Sequence, residues 1–139
     1  MKLSFELDHI GIAVDSLENG KAFYEALGLG PMTVEVVESE KVKTGFFELE
    51  NDSRLELLEP TDPDSTIAKF LANRGPGIHH ICLKVNDIRG AMKALKDKGM
   101  RLINEEPKPG AHGCMVAFVH PKSTGGVLIE LSQPSRKHA

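Results

Sequence analysis

The sequence is poor in cysteine, in long apolar runs and in net charge, and each scarcity removes a class of function. Its two cysteines, Cys82 and Cys114, are too few for a disulfide framework or a four-thiolate zinc site. Both lie in apolar stretches, which points to buried thiols. No apolar run approaches the roughly 20 residues of a membrane-spanning helix. The start, Met1-Lys2-Leu3-Ser4-Phe5-Glu6, lacks the apolar core of a secretory signal. Lys and Arg number 17 against 20 Asp and Glu, a net charge of −3, so no basic field exists to hold nucleic-acid phosphates. What is present is ordinary: 139 residues, 40% hydrophobic and 27% charged. That suffices for one domain whose core needs no crosslinks. Composition predicts a cytoplasmic single domain over 1–139 with neither membrane nor nucleic acid as partner. It says nothing about chemistry.

The chain repeats itself. Leu7-Asp8-His9-Ile10-Gly11-Ile12-Ala13-Val14-Asp15-Ser16-Leu17 returns as Ile78-His79-His80-Ile81-Cys82-Leu83-Lys84-Val85-Asn86-Asp87-Ile88. Each has a histidine, a mostly apolar run and then a helix-capping residue. The ends match as well: Arg54-Leu55-Glu56-Leu57-Leu58-Glu59 corresponds to Leu128-Ile129-Glu130-Leu131-Ser132-Gln133. The interval from His9 to His80 is nearly that from Glu56 to Glu130, about half the chain.

Each half reads as strand, helix and further strands. In the second, Asn86 or Asp87 caps a helix with Ile88, Ala91, Met92 and Leu95 on one face, and Gly99 stops it. In the first, Ser16 is the cap, Leu17, Phe23, Tyr24 and Leu27 the apolar face, and Gly28 the stop. Gly20 weakens that helix by about 1 kcal/mol relative to Ala. Strands are predicted over 33–37, 42–49 and 54–58, with counterparts over 101–105, 114–120 and 126–131. Between the halves, Asp62-Pro63-Asp64-Ser65 opens a helix carrying Ile67, Phe70 and Leu71 and ended by Gly75. The expected fold is α+β: two paired βαβββ modules, about 5–60 and 77–133, with a connector helix over about 62–75. A module of this size covers its sheet poorly alone, so the pair is expected to form a curved mixed sheet around a common cleft.

The repeat singles out four of the candidate side chains. A lone strand histidine is most often structural, but His9 and His80 occupy equivalent positions, as do Glu56 and Glu130. Both glutamates interrupt apolar runs, and alternate strand residues face opposite sides. A carboxylate facing inward needs a partner, and a cation is the simplest. Two imidazoles and two carboxylates suit a divalent transition metal with open positions. The absence of thiolates argues against structural zinc, and the imidazoles argue against calcium. The natural use of such a set is Lewis-acid catalysis at a carbonyl with loss of a neighbouring proton. The cleft is therefore expected to be a metal cleft.

The residues also carry a family resemblance. Asp8-His9-Ile10-Gly11-Ile12-Ala13-Val14, Leu55-Glu56-Leu57-Leu58-Glu59-Pro60 and Asp64-Ser65-Thr66-Ile67-Ala68-Lys69-Phe70-Leu71 are similar to the first half of methylmalonyl-CoA epimerases. The second half resembles them in Gly77-Ile78-His79-His80-Ile81-Cys82, Pro109-Gly110-Ala111-His112-Gly113, His120-Pro121-Lys122 and Gly125-Gly126-Val127-Leu128-Ile129-Glu130-Leu131. The resemblance runs from about Leu7 to Gln133. The paired histidines and the last two blocks are specific to this branch of the vicinal-oxygen-chelate superfamily.

The resemblance implies a divalent ion, cobalt before manganese, nickel or zinc, bound by His9, Glu56, His80 and Glu130. It implies an isomerase that interconverts (2R)- and (2S)-methylmalonyl-CoA through an enolate stabilised by that metal, and a homodimer. Epimerisation needs acid–base groups on both faces of the α-carbon. Glu130 is one candidate. Some relatives place the other, a glutamate, at the position of Thr44, and the nearest acid of the same alternation here is Glu48. Lys122 is a candidate for a CoA phosphate, and Gly113, with Gly110 beside His112, for the substrate carboxylate. His79 is read as pointing away from the metal, His120 as structural, and His138 as without a role. The alternatives are a glyoxalase I-like lactoylglutathione lyase and a metal-free small-molecule-binding protein of the same fold. An extradiol dioxygenase fits less well.

Overall fold

The computed structural model describes residues 2–110 and 113–135. Residues 9–79 form one compact unit, and the described residues of 1–8 and 80–139 form another. Both are mixed sheets with helical cover.

In the first half of the chain the elements run β1 (Phe5–Ala13), α1 (Leu17–Gly20), α2 (Ala22–Ala26), β2 (Thr33–Val37), β3 (Val42–Glu48), β4 (Arg54–Pro60) and α3 (Thr66–Arg74). The strand order is β2-β3-β4-β1. β1 and β4 are parallel, while β2, β3 and β4 form an antiparallel meander. The intervening helices and meander carry the chain from β1 back to a parallel partner, as parallel pairing requires. Ala13, Val42, Leu58 and Ile67 pack with Phe70 and Leu71 of α3. Val14, Leu17, Phe47 and Leu57 form a second cluster with Tyr24. Ser65 caps α3 by accepting the Ala68 N–H at 3.1 Å.

The second half repeats the plan with β5 (Gly77–Val85), α4 (Ile88–Asp97), β6 (Lys108–Pro109), β7 (Met115–Val119) and β8 (Leu128–Gln133). The order is β5-β8-β7-β6, with β5 parallel to β8 and the others antiparallel. Asp87 is the cap of α4, accepting the Gly90 N–H at 3.0 Å. Ile88, Ala91 and Met92 turn inward against Val85, Ala117, Val119 and Leu131, with Leu95 packed beside them. Gly99 ends the helix region at φ +79°, a conformation that costs glycine little.

Three expectations need correction. The first-half helix is two short helices broken at Lys21, and Phe23 and Leu27 are each 64% exposed, so neither belongs to a buried face. Gly20 marks the break and also permits close packing: a Cβ there would lie 3.0 Å from Val14 Cγ1. The predicted strand over 101–105 is reduced to a single bridge between Leu102 and Val119. There the Asn104 side chain, not a strand carbonyl, accepts the Phe118 N–H at 2.8 Å. Cys82 is fully buried as expected, but Cys114 is only half-buried.

Candidate metal centre

β1 and β4 bring together the first pair. Their parallel register sets His9 against Arg54 and Gly11 against Glu56. His9 and Glu56 are 7% and 8% exposed, on strands that also bury Ala13, Leu57 and Leu58. His9 Nδ1 lies 3.4 Å from Glu56 Oε2. Arg54, two residues before Glu56 and therefore on the same face, donates to that oxygen from Nη2 at 3.1 Å and Nε at 3.3 Å. Its guanidinium lies over the Phe46 ring, 5.9 Å from the centroid.

β5 and β8 build the second pair in the same way. His80 is opposite Leu128, and Cys82 is opposite Glu130. His80 is 9% exposed and its Nε2 lies 3.5 Å from Glu130 Oε1. Each unit thus sets one buried imidazole beside one carboxylate on two parallel strands, with Glu56 buried and Glu130 half-buried.

These residues fit a divalent cation. Two donors sharing one ion at bond lengths of about 2.1 Å lie roughly 3.0–3.5 Å apart, and the separation in each pair is within or at the edge of that range. Imidazole nitrogen with carboxylate oxygen is a donor set for borderline divalent metals.

The other candidates occupy varied settings. Glu48 is exposed at the end of β3, with Arg54 as its register partner and hence on the face that carries Glu56. Thr44 is buried on that face, opposite Leu58. Lys122 is exposed in the turn Pro121–Ser123, and its N–H donates to His120 Nδ1 at 3.0 Å. Lost solvation and the positive charges of Arg101 and Lys122 hold the His120 pKa below its ordinary 6.5. Gly113 is exposed with φ +75°, while Ala111, His112 and His138 lie outside the described residues. The His79 ring meets Phe70 edge-on at 5.2 Å, and burial lowers its pKa.

Sequence reasoning missed Arg54, although its spacing from Glu56 was a readable signal. It also missed Glu59 and Gln133, whose side chains accept the backbone N–H of Leu17 and of Ile88.

The model of the Glyoxalase/Bleomycin resistance protein/Dioxygenase superfamily matches residues 8–118. The mitochondrial methylmalonyl-CoA epimerase of Homo sapiens is 46% identical over 130 residues, 91% of this chain and 73% of that protein. The chain belongs to the methylmalonyl-CoA epimerase family of this superfamily. An ethylmalonyl-CoA/methylmalonyl-CoA epimerase of Cereibacter sphaeroides is 43% identical over 130 residues, covering 91% of this chain and 96% of that one. A solved structure of methylmalonyl-CoA epimerase in complex with methylmalonyl-CoA and an ammonium ion has a TM-score of 0.81 and 37% identity over 94% of each chain. The α+β fold expected from the sequence is the fold of this family.

Proposed function

We propose that this protein is an epimerase that interconverts (2R)- and (2S)-methylmalonyl-CoA with a divalent cation held by His9, Glu56, His80 and Glu130. The observation that carries this reading is the duplicated His–Glu pair, a buried imidazole beside a carboxylate in each unit at equivalent positions of the repeat. Family membership supports the substrate class.

The α-carbon of the substrate lies between a thioester and a carboxylate, and the thioester chiefly acidifies its hydrogen. A divalent ion in this donor set supplies Lewis acidity to the carbonyl oxygen, and cobalt is the first choice, with manganese, nickel and zinc as alternatives. Glu130 moves the proton at one face of the α-carbon and Glu48 at the other, which inverts the centre. Burial of His9, Glu56 and His80 limits water and strengthens their electrostatic hold. The Gly113 backbone N–H is assigned to the substrate carboxylate and the Lys122 ammonium to a CoA phosphate.

The protein acts in the cytoplasm as a homodimer in this reading. No helix among the described residues is long and apolar enough to cross a membrane. The apolar residues Phe23, Leu27, Val34 and Val36 are exposed and available for self-association. Sedimentation at twice the 15.2 kDa chain mass is the expected result.

The test is exchange. Protein loaded with Co²⁺ in deuterium oxide should exchange the α-hydrogen of methylmalonyl-CoA for deuterium, read by mass spectrometry. With metal bound, exchange no faster than the uncatalysed rate removes the epimerase reading. Turnover of methylglyoxal with glutathione in its place would favour the lyase.

A further inference from the structure

We propose that Arg54 is a positioning residue: it clamps the Glu56 carboxylate in a ligand orientation and makes it chemically unlike its counterpart Glu130. The proposal rests on the four-ligand reading above. It starts from a break in the internal repeat. His9 matches His80 and Glu56 matches Glu130, but the residue two before each glutamate is Arg54 in one half and Leu128 in the other. In both halves this residue is the register partner of the candidate histidine. The duplicated scaffold thus puts a cation in one pair and an aliphatic chain in the other.

The Arg54 fork closes on a single oxygen. Nε and Nη2 both donate to Glu56 Oε2, the oxygen that also lies 3.4 Å from His9 Nδ1. Two N–H groups converge on Oε2, but an ionised carboxylate has about four lone-pair sites over its two oxygens, so Glu56 can hold the guanidinium and an ion together. The terminal torsion of a glutamate is otherwise broad and roughly two-fold, and a planar donor fork restricts it. The fork is itself held, because the guanidinium lies over Phe46, the register partner of Glu56. Arg54 is 26% exposed at its side chain and Glu56 10%, so the pair is shielded from the water that weakens surface ion pairs. Leu128 has no donor with which to do the same for Glu130.

Lysine cannot replace this geometry, since an ammonium is a point charge without a fork. Arg54→Lys and Arg54→Leu should each weaken Co²⁺ binding roughly 10–100-fold, the usual effect of removing an outer-shell partner. Co²⁺ alone is titrated into wild type and variants by calorimetry, and the visible cobalt spectrum reports the ligand field. Thermal melts of the metal-free proteins identify any variant that has lost its fold. Glu56→Gln in the Arg54→Leu background should weaken binding less than it does in wild type, because the two residues act as one unit. Wild-type affinity and spectrum in a folded Arg54→Leu protein overturn the clamp while leaving the four-ligand reading intact. Fully additive losses in the double variant also overturn the clamp. Failure of the wild type to bind Co²⁺ overturns the ligand reading and the clamp with it. If neither single variant folds, Arg54→Gln at the same position supplies the measurement, and unchanged affinity there is again decisive against the clamp.

Discussion

Glu59 Oε1 accepts the backbone N–H of Leu17, the first residue of α1, at 2.7 Å. Gln133 Oε1 does the same for Ile88, the first residue of α4, also at 2.7 Å. The first turn of a helix carries N–H groups with no partner inside the helix. In each half the residue that satisfies one of them stands three places after a candidate ligand, Glu56 or Glu130. The strand bearing the ligand is thereby tied to the start of the helix in its own unit, and the repeat preserves the tie even though Glu has become Gln.

Removing these ties should cost stability. Glu59→Ala and Gln133→Ala are each expected to destabilise by about 0.5–2 kcal/mol, the usual range for a lost helix cap. Urea denaturation measures the loss. Glu59→Gln, which keeps the acceptor, should fall by less than Glu59→Ala, and equal losses would show that the hydrogen bond is not the cause.

The candidate ligands predict a linked loss. His80→Ala and Glu130→Ala should each lose bound Co²⁺ together with isotope exchange, measured by elemental analysis and mass spectrometry on the same samples. Full activity in either variant contradicts its assignment. Dialysis against a chelator should abolish exchange in wild type, and added Co²⁺ should restore it.

Leu57 is completely buried between Val14, Leu17 and Phe47. Leu57→Ala leaves a cavity in this cluster and should cost about 2–5 kcal/mol. A lower denaturation midpoint with an unchanged slope is the expected signature.

His120 predicts a pH effect of definite sign. Lost solvation lowers its native pKa from 6.5, and Arg101 and Lys122 lower it further. The native state therefore binds fewer protons than the unfolded chain just below pH 6.5. The stability contribution is present above 6.5 and is lost as pH falls through the depressed native value. An NMR titration should place the His120 midpoint below 6.5 and move it upward in Lys122→Gln, with a larger upward movement in Arg101→Gln. A midpoint unmoved by either substitution would mean that their charges do not act on the ring.

Elements with strong local signals are legible in the sequence. The helix over Ile88–Asp97 has an Asp cap, an apolar face at helical spacing and a glycine after its end, so its limits follow from short-range physics. The 33–37 strand has the same limits in sequence and structure. The helix of the first half is less legible because Phe23, Tyr24 and Leu27 have helical spacing, but only Tyr24 finds an aromatic neighbour in the core, Phe47. The segment over 101–105 carries strand-like residues, yet an asparagine side chain takes over the hydrogen bond that would have extended the ladder.

By itself the sequence determined the duplication, and with it the equivalence of His9 with His80 and of Glu56 with Glu130. Repeat spacing is a property of the chain alone, and two-residue alternation sets Arg54 and Glu56 on one face of any strand that contains them. Only the tertiary structure decided which side chains meet across strands. Register is non-local: it brings His9 within 3.4 Å of Glu56, lays Arg54 over Phe46 and hands the Leu17 N–H to Glu59. Spacing along the chain fixes none of those distances, because each joins residues that separate elements must first fold to bring together.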